Sequence, residues 1–140
     1  MSIVLNWQRR AFFKLMDIKS VSSNSLSFIG DAVYTLYVRE HCVSICQQSI
    51  KLQKMCNSYN SAKGQSQAFL FLKERGFFCD EELEVFKRGR NAIRHIPKNG
   101  DRLSYETASG LEAVTGYLYL MESERLDEMF KLIFEEMGNE

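Results

Sequence analysis

Proline occurs once in these 140 residues, at Pro97, and no Gly/Ser-rich linker, low-complexity tract or internal repeat breaks the chain. With nowhere to place a boundary, residues 1–140 are expected to fold as one domain around one core. Histidine is nearly as scarce, and His41 and His95 alone limit triad and acid–base schemes. Cys42, Cys46, Cys56 and Cys79 show no CxxC spacing. Cys42 and Cys46, one helical turn apart, lack the further ligands that zinc requires. The thiols are therefore expected to be reduced, in a cytoplasmic protein. No apolar run approaches the roughly 20 residues that span a bilayer. Arg9, Arg10, Lys14 and Asp17 interrupt the N-terminal stretch, so neither a signal peptide nor a membrane anchor is expected. Neither GxxxxGK nor GxGxxG is present, so no nucleotide-phosphate loop is indicated.

Net charge is also missing, since 18 basic and 18 acidic residues cancel. Its distribution is uneven. From Lys87 to Arg102, six basic residues (Lys87, Arg88, Arg90, Arg94, Lys98, Arg102) face Asp101 alone. From Leu103 to Glu140, Arg125 and Lys131 face nine carboxylates. Two solvated faces of unlike sign would account for this, as would a phosphate-binding surface beside an acidic pocket.

Apolar residues recur at helical spacing nearly throughout, while the alternation of a half-buried strand is hard to find. An all-α chain of about six or seven helices is expected. One helix is predicted from about Val4 to Met16. A second begins after Asn24 or Ser25, either a good N-cap, and carries Ile29, Ala32, Val33, Leu36 and Tyr37 to the Cys42 region. Leu52, Met55 and Tyr59 mark another; Ala62, Ala68, Phe69 and Leu72 mark the next, which Gly76 stops. Asp80, Glu81 and Glu82 suit the positive end of a helix dipole, and Gly89 is expected to close that short helix. Asn91 to Asp101 reads as a loop. Leu111, Val114, Thr115 and Leu118 define a further helix, and Leu126, Met129, Phe130, Ile133, Phe134 and Met137 a terminal one capped by Ser123.

Gly30, Gly110 and Gly116 fall inside predicted helices, where each costs roughly 0.8–1.0 kcal/mol relative to alanine. Close approach of another backbone is the simplest compensation, which places these two helices together at the centre. Asp31 and Glu112 would then converge. Two carboxylates and a substrate phosphate suffice to hold a magnesium ion, although a carboxylate on a helix is more often a solvated surface group.

The run Ser27-Phe28-Ile29-Gly30-Asp31-Ala32-Val33-Tyr34 resembles the signature helix of the ribonuclease III catalytic domain. Gly110-Leu111-Glu112-Ala113-Val114-Thr115-Gly116-Tyr117-Leu118-Tyr119-Leu120 resembles its second acidic helix. Between them, Tyr59 to Gln65, Arg88 to Ala92, and Pro97-Lys98-Asn99 are similar to the stand-alone subfamily called Mini-ribonuclease III. The order holds from about Leu26 to Leu126.

This resemblance implies a compact helical endonuclease domain, homodimeric, that cleaves double-stranded RNA with magnesium and leaves 5′-phosphates. Asp31 matches the essential aspartate and Glu112 the magnesium-binding glutamate, so both are expected to be catalytic metal ligands. Asn24 and Ser27 stand where full-length ribonuclease III has glutamates, and Ser109 where it has a metal-binding aspartate; the subfamily lacks the same acids. No double-stranded RNA-binding domain is expected after the catalytic region. Lys63, Gln65, Arg88, Arg90, Asn91 and Lys98 are therefore candidates for RNA contact. Precursor ribosomal RNA, at the paired ends flanking 23S RNA, is the implied substrate, and a ribosomal protein a further candidate partner. The alternative is a catalytically inactive RNA-binding or ribosome-assembly protein with the same fold.

Overall fold

A long helix forms because Ser22 stands just before an apolar-patterned run and caps it, its Oγ accepting from the Ser25 amide at 3.1 Å. The computed structural model describes residues 17–92 and 95–138; the helix expected over Val4 to Met16 lies outside them. After a short 3₁₀ turn, Ile18–Ser20, six α-helices follow among the described residues: α1 Ser23–Ile45, α2 Ser49–Asn60, α3 Ala62–Glu74, α4 Asp80–Asn91, α5 Arg102–Leu120 and α6 Arg125–Met137. None of the described helices is long and apolar enough to cross a membrane.

Four boundaries differ from the sequence reading. The N-cap of α1 is Ser22, not Asn24 or Ser25, because the Ser22 hydroxyl supplies the first cap bond. Gly89 does not end α4, which runs on to Asn91. A β-carbon on Gly89 would collide with that of Ala113 on α5, so this glycine serves helix contact rather than termination. The expected loop over 91–101 is shorter, since Asn91 is helical and Asp101 caps α5, its Oδ1 accepting from the Leu103 amide at 3.2 Å. Ser123 contributes the Oγ that accepts from Arg125 N at 3.1 Å, while the formal cap residue of α6, Glu124, makes no side-chain bond.

Helix α5 is the axis of the domain, touching α1, α3, α4 and α6. Its apolar residues Leu111, Ala113, Val114 and Leu118 are buried, and Thr115 satisfies its hydroxyl against the Leu111 carbonyl at 2.8 Å. Helix α6 closes one side with Met129, Phe130 and Ile133 fully enclosed. There Phe130 stacks on Tyr37 and meets the Tyr34 ring edge-on, with centroids 4.2 and 4.9 Å apart. The start of α4 is pinned to α6 by an ion pair in which Glu82 is buried and Arg125 partly exposed. Arg125 donates from Nε and Nη2 to Glu82 at 2.6 and 2.8 Å, and also to the Phe77 carbonyl. Between α2 and α3 there is no loop: Ser61 ends one helix and caps the next. Gly64 makes that corner tight, since a β-carbon there would collide with the Ser58 carbonyl.

Candidate active site

Gly30 and Gly116 bring α1 and α5 together backbone against backbone. A β-carbon on Gly30 would overlap the Glu112 carbonyl oxygen, and one on Gly116 would overlap the Leu26 carbonyl. Gly110 serves a different contact from the one expected, lying against Phe86 of α4 rather than against α1.

The tight crossing fixes Asp31 and Glu112 side by side. Their carboxyl groups are within hydrogen-bonding reach, and Glu112 is pushed up to about 8 by burial, by that hydrogen bond and by the Asp31 charge. Asp31 is exposed and Glu112 half-buried, so the pair opens to one side.

The enclosed side of Glu112 meets Gln65 of α3. Gln65 Nε2 donates to Glu112 Oε2 at 3.4 Å and to the Asn60 carbonyl at 3.1 Å. The side chain is 3% exposed, so Gln65 does not lie on a surface that RNA could reach as the sequence reading expected. Its amide is already committed to Glu112 and to the end of α2. A cleft of about 260 Å³ runs along this wall, bordered by Asn60, Gln65, Tyr105, Ser109 and Glu112 among others. Three buried polar atoms in this neighbourhood have no hydrogen-bond partner among the described residues: Gln65 Oε1, Asn60 Oδ1 and the Tyr34 hydroxyl. Burial holds Tyr34 well above the usual phenol range, with the Glu112 charge adding to the effect. Asn60 and Tyr34 are not singled out by the sequence as neighbours of this pair, although both lie inside the motif segments.

The serines at the acid positions make structural bonds instead. Ser27 Oγ donates to the Ser109 carbonyl at 3.0 Å, and Ser109 Oγ donates to the Gly89 carbonyl at 3.1 Å. The chain of bonds runs from α1 through α5 to the last turns of α4. Arg88, Arg90 and Asn91 occupy those turns. Arg88 and Asn91 are exposed; Arg90 is half-buried, with its guanidinium 5.8 Å from the Phe86 ring centroid and its Nε donating to Asn91 Oδ1 at 3.4 Å. Lys63, in the first turn of α3, and Lys98, in the loop before α5, are exposed. His95 is exposed as well, whereas His41 is half-buried and stacked on Phe134, with ring centroids 3.9 Å apart.

The donor set around Glu112 is oxygen only, which suits a hard divalent cation. Two crowded carboxyl groups, one of which holds a proton until a cation replaces it, and two amide oxygens without donors among the described residues are what such a cation and its waters would satisfy. Asp31 and Glu112 would hold the ion. Among the described residues no group of three or more His, Cys, Asp and Glu gathers anywhere, so the protein's anionic ligands here number two.

The described helices and the paired acids define a ribonuclease III-type domain, and residues 24–123 match the family model described as Ribonuclease III domain. A crystal structure of a protein from Fusobacterium nucleatum has the same fold, with TM-score 0.77 and 25% identity over 86% of this chain and 98% of that one. The chain is 41% identical to Mini-ribonuclease 3 of Staphylococcus aureus over 83% of its length and 89% of the relative's. It is 35% identical to Mini-ribonuclease 3 of Enterococcus faecalis, over 89% and 96% respectively. The chain belongs to the Mini-ribonuclease 3 family, and with it to the endoribonucleases.

Proposed function

We propose that this protein is a magnesium-dependent endoribonuclease that cuts double-stranded RNA as a homodimer in the cytoplasm. The observation that carries the reading is the meeting of Asp31 and Glu112 in one half-open site. A bound divalent cation supplies charge neutralisation at the phosphodiester and an acidified water for attack. The chain's own part is to hold the two carboxylates together, with the glycine crossing fixing their helices and the Gln65 amide holding Glu112. Hydrolysis leaves a 5′-phosphate and a 3′-hydroxyl.

The exposed cations Lys63, Arg88 and Lys98, with Arg90 and Asn91, form the proposed RNA surface. Arginine and lysine would take phosphates, and the Asn91 amide would meet 2′-hydroxyls in the wide minor groove. The hydrogen-bonded serines support this placement, since they tie the end of α4 to the helix that carries Glu112.

Dimerisation is supported by the outer face of α1. Phe28 is 72% and Leu36 44% exposed on the helix that carries Asp31. Asn24, Ser25, Phe28, Ile29 and Ala32 line a shallow apolar depression there. A second copy covering this face would put two sites on one duplex, facing opposite strands. Precursor ribosomal RNA, at the ends of 23S RNA, is the proposed substrate, with a ribosomal protein as a candidate accessory partner.

The test is cleavage of a long RNA duplex with Mg²⁺ by the purified protein and by Asp31→Asn. Cutting by the first and binding without cutting by the second is the expected result. Equal inactivity of both would overturn the catalytic reading and favour an RNA-binding role.

A further inference from the structure

The Gln65 amide has only one chemically sensible orientation. Both neighbours of Nε2, the Asn60 carbonyl and the Glu112 carboxylate, accept hydrogen bonds, so the NH₂ must face them. Oε1 is thereby turned away, buried and without a donor, and Asn60 Oδ1 is in the same condition. A native domain leaves few such atoms unsatisfied, and one orphaned buried acceptor costs about 1–3 kcal/mol. Both belong to residues bordering the cleft that Glu112 also lines.

The corner that places them is rigid. Asn60 is the last residue of α2, Ser61 caps α3 with its Oγ accepting from Gly64 N at 3.1 Å, and Gln65 N returns to the Ser61 carbonyl at 2.9 Å. Gly64 admits no β-carbon against the Ser58 carbonyl. This corner, with its two unsatisfied oxygens, forms one wall of the cleft that Glu112 also lines.

We propose that Asn60 and Gln65 are positioning residues for a hydrated divalent cation, their side-chain oxygens accepting from its waters while the Gln65 amide orients Glu112. The proposal rests on the reading of Asp31 and Glu112 as cation ligands. It also explains how the site works with a serine at 109. A neutral amide shelf supplies oxygen acceptors to the ion's waters without adding a third acidic group to a pair that is already crowded.

The test is Mn²⁺ binding to the RNA-free protein, followed by electron paramagnetic resonance of the free ion, for the unaltered chain, Gln65→Met, Asn60→Ala and Asp31→Asn. Duplex binding in EDTA and thermal unfolding are measured on the same samples. Gln65→Met removes the amide at similar volume and is expected to weaken Mn²⁺ binding about tenfold or more, the range seen when the outer partners of a metal site are removed. Asn60→Ala, at a half-buried helix end, is expected to weaken it severalfold without lowering the unfolding temperature, and it carries the test should Gln65→Met fail to fold. Mn²⁺ binding by both variants at the unaltered strength would overturn the proposal. So would a loss of duplex affinity in Gln65→Met with Mn²⁺ binding intact, which would make the side chain an RNA contact. If the unaltered protein binds Mn²⁺ and Asp31→Asn does not, the cation site itself stands whatever the amide variants do. If the unaltered protein binds none, both readings fall.

Discussion

Replacing Gly30 with alanine is a severe test of the helix crossing, because two effects of known size oppose each other. Alanine is favoured over glycine in a helix by roughly 0.8–1.0 kcal/mol. On propensity alone Gly30→Ala would therefore stabilise the protein. The structure reverses that sign, because the added methyl would overlap the Glu112 carbonyl and crowd the Gly116 amide, both backbone atoms that cannot rotate away. Overpacking costs about 1–3 kcal/mol, and the upper end applies where only a shift of the helix relieves it. The net loss is then on the order of 2 kcal/mol, or roughly 4–8 °C in Tm for a domain of this size. The shift also separates Asp31 from Glu112, so cleavage and Mn²⁺ binding should fall further than stability does. Thermal unfolding by circular dichroism beside a cleavage assay measures both. A Gly30→Ala protein as stable as the original, and as active, would refute the backbone-to-backbone contact.

Arg125→Met strands the Glu82 carboxylate, which is 3% exposed in its ion pair, and should cost on the order of 3 kcal/mol in urea unfolding, whereas the double change Glu82→Met, Arg125→Met should recover most of it. Burial alone would raise Glu82, but the Arg125 hydrogen bond and charge and the Cys79 amide outweigh it and hold the carboxyl below its ordinary 4.5. Its contribution to stability is therefore full above about pH 4.5 and is lost as pH falls through the depressed value; acid titration of the Tm should show this step, and Arg125→Met should abolish it. Glu112 has the opposite sign. Because the folded, cation-free protein holds its proton up to about pH 8, stability from this group is present below its ordinary 4.5 and is lost as pH rises to about 8, a slope that Glu112→Gln should remove and Mg²⁺ should offset at the alkaline end. Arg88→Ala should weaken duplex binding and reduce the salt dependence by about one unit of log–log slope; an unchanged slope would take Arg88 off the phosphate backbone.

The helices were legible in the sequence because their apolar stripes are long. Leu126 to Met137 and Leu111 to Leu118 carry enough periodic residues to define a face regardless of context. Boundaries were less so. Gly89 looks like a stop signal, and only the presence of Ala113 and Gly110 across the interface explains why it lies inside a helix. The meeting of Asp31 and Glu112 was legible through glycines that needed a reason and through motif resemblance. The role of Gln65 was not visible. A glutamine near lysines reads as a surface amide until the fold shows that the tight corner at Ser61 turns it inward onto Glu112. Asn60 and Tyr34 escaped for the same reason, because an unsatisfied buried atom has no signature in a string of residue types.

The serine at 109 is now committed on both sides: its carbonyl receives Ser27 and its hydroxyl reaches Gly89. An aspartate there would add an acidic group where two carboxyls already crowd, and would also cut the strut to the arginine-bearing end of α4. Position 109 thus couples the charge of the site to the anchoring of the α4 terminus, so that neither can be changed there without disturbing the other.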